Sequence, residues 1–175
     1  MVVSERLKSV KSVLVHFNRV KTNQTRQLAR YSGDINSFQL KVGSNFYPDQ
    51  AIAGKSNTRS ETSEYQMELF KAMGCYSDSQ HVSIINSDNF ISRENTVANI
   101  GRAVYGIDLD GFSAAGNGSD IESGLNCVLN NPMTITMPCS PPPGGDVVLA
   151  CSMYVHLLHD SLIKIGGDGR MTKSS

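Results

Sequence analysis

The run HLLHD, His156 to Asp160, gathers two imidazoles and a carboxylate within five residues, the side-chain types that ligate zinc or iron. Its extended setting works against that chemistry. Side chains of a strand alternate between faces, so histidines three residues apart point in opposite directions and do not close on one ion. A centre built on His156 would need distant partners such as His16 or His81. Asp108 and Asp110, in GIDLDG, do share a strand face, as a paired acid and base would, but two solvated acids are the commoner use of that spacing. The chain has no GxSxG elbow and no cysteine in a protease-like context. GNG and GGDG fall between extended stretches, not ahead of a helix where they would cradle phosphate. These residues assign no catalytic, cofactor-binding or metal-ligating position, call for no cofactor, and predict a protein that is not an enzyme.

The elements that would position such residues are mostly strands. A chain of 175 residues is long enough for one domain with one core. Its 39% apolar and 18% charged residues, with no Trp and abundant Ser, Asn and Gly, suit short strands joined by polar turns. Formal net charge is zero, yet Arg6, Lys8, Lys11, Arg19, Lys21, Arg26 and Arg30 face only Glu5 among the first thirty residues. Such a basic segment fits a solvated or inter-subunit face, with weak genome contact as its second use. The four cysteines, Cys75, Cys127, Cys139 and Cys151, lack CxxC spacing and read as reduced thiols. No window approaches the length of a membrane span, and charges interrupt the N-terminus where a signal peptide is apolar.

SVKSVLVHFNRV predicts a strand with Val10, Ser12, Leu14, His16 and Asn18 on one face and Val13, Val15 and Phe17 on the other. A second strand carries Ile35, Phe38, Leu40 and Val42 and meets a turn at Gly43-Ser44-Asn45. Pro48, after Phe46 and Tyr47, is expected to end strand pairing by removing a donor, with both aromatics packed at that corner. One helix follows, from about Ser63 to Met73. Thr58 and Glu61 offer a capping box, Tyr65, Leu69 and Met73 an apolar stripe, and Gly74 a stop. HVSIIN, RAVYGIDLDGF, NCVLN, MTITMP, DVVLACSMYVHLLHD and SLIKI supply further strands. In the longest, Leu149, Cys151, Met153, Val155 and Leu157 form a packing face, leaving Ser152, Tyr154 and His156 partly wet. GGDG then makes a hairpin turn into RMTKS. The reading is all-β: a sandwich of the jelly-roll or immunoglobulin-like type with one short helical excursion.

Taken in order, RLKSVKSVLVHFNR, INSFQLKVGSNFYPDQAI, SEYQMELFKAMG, YGIDLDGF, ESGLNC and VVLACSMYVHLLHDSLIKIGGDGRM resemble the C-terminal jelly roll of double-jelly-roll major capsid proteins. The resemblance is to those of Polinton-like and adintovirus-like elements and related DNA viruses, and it covers almost the whole chain. It implies that residues 1–175 form a single jelly-roll domain, the C-terminal half of a longer structural protein. It also implies a homotrimer made through an upstream jelly-roll domain, contacts with neighbouring capsomers and vertex proteins, and a place in a virion assembled in the host nucleus or cytoplasm. The helix would then cover the barrel or touch a neighbour. A lectin-like binding sandwich or a cupin-like metalloenzyme would share the fold.

Overall fold

The computed structural model describes residues 2–3, 7, 9–19, 30–31, 35–54, 62–75, 85, 90, 100–110, 124–128, 132–139, 151–165 and 170–174. The strands in chain order are β1 (Val2–Val3), β2 (Val10–Arg19), β3 (Arg30–Tyr31), β4 (Ser37–Val42), β5 (Asn45–Ala53), β6 (Ile100–Gly101), β7 (Tyr105–Asp108), β8 (Met133–Thr136), β9 (Cys151–His159), β10 (Leu162–Ile165) and β11 (Met171–Ser174). The helix α1, Ser63–Ala72, lies between β5 and β6. One sheet runs β1-β8-β4-β5; in the other β2 pairs with β9, β7 and β3, and β3 with β6. All described pairings are antiparallel, and β10 and β11 form a separate hairpin. The chain is an all-β sandwich with one short helix.

Alternation places the core where the sequence predicts it, with one phase change. Val13, Val15 and Phe17 of β2 turn inward against Phe38, Leu40 and Val42 of β4 and Met133 and Ile135 of β8, all buried. Val10 was expected on the opposite face but belongs to the core. The register steps from Val10↔His159 to Ser12↔Leu158, so Lys11 is the extra residue of a bulge that shifts the alternation. Beside it, Ser12 Oγ is buried without a hydrogen-bond partner among the described residues. Ser12→Ala is therefore expected to leave stability unchanged or raise it by about 1 kcal/mol, since an unpaired hydroxyl contributes only its desolvation cost. A urea midpoint that falls by the equivalent of more than about 1 kcal/mol would assign that hydroxyl a partner.

Tyr105 of β7 stands at the centre. The rings of Phe17, Phe38, Tyr65 and Phe90 surround it edge-on, with centroids 6.3, 6.2, 5.2 and 5.7 Å away. These partners come from both sheets, the helix and residue 90, so one side chain joins four parts of the chain.

Pro48 does not end the pairing, contrary to the expectation above. After Leu40↔Tyr47 the ladder resumes at Phe38↔Ile52 and Ser37↔Ala53, so residues 48–51 bulge opposite Gln39. The Gln39 side-chain amide fills the gap, its Nε2 donating to the carbonyls of Pro48 and Asp49 at 3.1 and 3.2 Å. A side-chain donor thus occupies the place of the missing ladder bonds. Tyr47 packs against the core, whereas Phe46 is exposed with Lys41 Nζ 5.4 Å from its ring centre.

The helix forms as predicted from Ser63, but it ends at Ala72, and Ala72 replaces Met73 on its buried face. Thr62 holds the N-cap position without a side-chain cap hydrogen bond, its Oγ1 accepting from Gln66 Nε2 at 3.0 Å, while Thr58 and Glu61 lie outside the described residues. The buried stripe is Tyr65, Leu69 and Ala72, and Met73 is exposed, because the chain has already left the helix at that residue. Gly74 takes the left-handed conformation, φ +70°, that a helix C-terminus favours. Tyr65 Oη donates to the carbonyl of Gly54 at 2.9 Å, anchoring the helix to the end of β5. Burial raises the pKa of that phenol, which stays protonated.

NCVLN was expected to be a strand. Its described residues, 126–128, form no strand; the bridge Val10↔Leu125 falls just ahead of them, and buried Cys127 donates its backbone N–H to the Leu7 carbonyl at 2.8 Å. In HVSIIN only Ile85 is described, and it packs on the core outside any strand. The GGDG turn lies outside the described residues, but the strands it joins pair in the expected hairpin.

Candidate functional site

Strand alternation separates the two histidines of HLLHD. His156 faces outward from β9 beside exposed Tyr154 and Leu158, while Met153, Val155 and Leu157 turn toward the core. His159 is half-buried, and its Nδ1 donates to the carbonyl of Asp160 at 3.0 Å. The register of β2 on β9 then supplies His156 with a different neighbour. His16 pairs with Tyr154, and His156 with Leu14, so His16 and His156 sit diagonally on the same face. Nδ1 of His16 and Nε2 of His156 are 3.3 Å apart, one imidazole donating to the other. Tyr154, the cross-strand partner of His16, stacks on its ring with centroids 5.1 Å apart. Burial, Arg30 and His156, in that order, lower the pKa of His16, so its ring is neutral at neutral pH.

Of the distant partners named for His156, His16 is brought to it; His81 lies outside the described residues. Among the described residues no group of three or more His, Cys, Asp or Glu side chains gathers as a metal site.

Asp108 and Asp110 are both exposed, but they do not act as a matched pair. Asp108 Oδ1 accepts the backbone N–H of Asp110 at 3.0 Å, an Asx turn that closes the end of β7. Burial raises the pKa of the Asp108 carboxyl, in part offset by that hydrogen bond. Asp110 Oδ2 lies 3.9 Å from Lys11 Nζ. Lys11 also reaches Asp160 at 3.4 Å, so this cation of the basic N-terminal segment meets two acids from other parts of the chain. Of the remaining cations in that segment, Arg30 has its pKa lowered by burial and by Arg102.

The Asp160 carboxylate forms a polar node that local sequence did not disclose. Ser9 Oγ donates to Asp160 Oδ2 at 3.0 Å and accepts the backbone N–H of Gly124 at 3.1 Å. The node ties the start of β2 to the end of β9 and to the bridge at Leu125 across 151 residues of sequence. Ser9, His159 and Asp160 are the residue types of a nucleophilic triad, but His159 Nδ1 is committed to a backbone carbonyl. Ser9 Oγ donates directly to the Asp160 carboxylate and not to an imidazole, so the node holds strands together. Cys75 and Cys127 are free thiols, and burial raises the pKa of Cys127, keeping it protonated and unreactive. No helix among the described residues is long and apolar enough to cross a membrane.

No protein-family model matches this chain, and neither the curated proteins nor the solved structures contain a match to it.

Proposed function

We propose that this chain is a jelly-roll module of a double-jelly-roll major capsid protein and builds a viral shell by self-association into trimeric capsomers. The order of strand pairing carries this reading. The outermost long strands, β2 and β9, pair antiparallel in one sheet; the next pair inward, β4 and β8, does so in the other. A long hairpin rolled upon itself generates such nested pairs in alternating sheets, and a jelly roll is wound in that way. Fold alone does not fix function. The reading therefore also leans on the ordered sequence resemblance and on the surface, where Val2, Phe46, Tyr154, Leu158 and Met171 expose large apolar side chains on a chain of zero formal charge.

The mechanism is interface geometry. Three chains around a threefold axis close through heterologous contacts, each presenting one edge to a neighbour and receiving another. Neighbouring capsomers and vertex proteins are the further partners, and the virion is the destination. Genome contact by the basic segment would not use Lys11, whose charge is met by Asp110 and Asp160. A cupin-like metal site would lie between the sheets, whereas the histidine pair is on an outer face, so no observation favours that alternative.

Light scattering and electron microscopy of the product of the parent reading frame test the proposal. Discrete trimers with a pseudo-hexagonal outline are expected. A monomer that stays monomeric at high concentration would overturn the capsid reading and favour a self-sufficient binding module.

A further inference from the structure

We propose that His16 and His156 form a two-point binding site for a borderline divalent cation, zinc or nickel, on the outer face of the β2–β9 pair. Nδ1 of His16 and Nε2 of His156 lie 3.3 Å apart. Two imidazoles on a tetrahedral zinc, each at about 2.0–2.1 Å, hold their ligating nitrogens about 3.3 Å from one another. The two strands thus set the bite of a chelate without an ion. The ring centroids are 5.0 Å apart at an interplanar angle of 10°, so the two rings are near-parallel and offset, with Nδ1 of His16 and Nε2 of His156 in close approach.

Chelation would require the rings to turn about their Cβ–Cγ bonds until both lone pairs aim at one ion. His156 is exposed, and His16 is half-buried beside Tyr154. On binding, the hydrogen between the rings moves to the far nitrogen of its own imidazole, so that both near nitrogens present lone pairs, and water fills the other coordination positions.

The donor chemistry selects the ion. Imidazole suits zinc, nickel and copper, whereas calcium and magnesium require oxygen ligands. Arg30 acts on His16 as a like charge and so opposes a cation there, which leaves coordination to supply the binding. The site stands apart from the capsid proposal and does not depend on it.

Titration of the untagged chain with zinc chloride, followed by calorimetry and by imidazole ¹H–¹⁵N spectra, tests it. One saturable equivalent is expected, with selective shifts at His16 Nδ1 and His156 Nε2. His16→Gln and His156→Gln should each weaken binding about tenfold or more, with the circular dichroism of the fold retained. His159→Gln, whose side chain is committed to the Asp160 carbonyl, should bind as the parent does. Absence of saturable uptake, shifts confined to other histidines, or undiminished binding by both variants would overturn the proposal.

Discussion

Tyr105→Ala is expected to remove about 4 kcal/mol of folding stability, the largest effect of any single truncation in this core. Tyr105 is fully buried, and deletion of its ring leaves a cavity that four other aromatic rings line. The transfer and cavity terms alone amount to roughly 3–5 kcal/mol for a buried aromatic residue. Each edge-to-face pair lost adds about 0.5–1.5 kcal/mol before the neighbours relax. Against a total stability of roughly 5–15 kcal/mol, the variant stands near the unfolding threshold. A urea titration should show its midpoint lowered by roughly 1.5 M or more, given the usual dependence of stability on denaturant. Tyr105→Phe retains the ring contacts and should lose far less. Equal losses in the two variants would show that the hydroxyl, and not the ring cluster, holds this centre.

The parts of the fold legible in the sequence were those governed by local periodicity. Val13, Val15 and Phe17 announce one face of β2 by alternation, and Met153, Val155 and Leu157 do the same for β9. Tyr65 and Leu69, with Gly74 beyond them, mark the helix and its stop. What alternation cannot supply is an insertion that changes its phase. The bulge at Lys11 places Val10 in the core, and the bulge over residues 48–51 carries β5 past a proline that reads as a terminator. Both are settled by the partner strand, through Ser12↔Leu158 in one case and the Gln39 amide in the other.

The candidate site divides along the same line. Period two separates His156 from His159, and spacing alone is enough to reject HLLHD as a chelate. The meeting of His16 with His156 is a fact of register between residues 140 apart, and one residue of slip would move His16 to the other face. Likewise, Ser9 finds Asp160 only because β2 and β9 run side by side. Nested pairing of strands distant in sequence is what brings these groups together, and it leaves no mark on the residues next to them.

Gly106→Val is expected to cost roughly 3 kcal/mol and to detach the helix from β7. A Cβ at residue 106 would lie 2.9 Å from Ala72 Cβ, 3.0 Å from Leu69 Cα and 3.2 Å from Leu14 Cδ2. The first two contacts belong to the helix, and Leu69 Cα is backbone, so relief requires the helix to move as a body. That movement opposes the Tyr65 bond to the Gly54 carbonyl and the packing of Tyr65 on Tyr105. The strain should therefore appear as a lower urea midpoint together with faster proteolysis within residues 63–72. A double-mutant cycle separates this contact from a general loss of stability. Gly106→Ala should cost about 1–3 kcal/mol, and Ala72→Gly about 1 kcal/mol from helix propensity. Because Ala72→Gly removes the nearest atom met by the new Cβ, the double variant should be more stable than the sum of the single losses by at least about 0.5 kcal/mol. Strict additivity would show that Ala72 and residue 106 do not meet, and would withdraw the close approach of helix and strand on which this prediction rests.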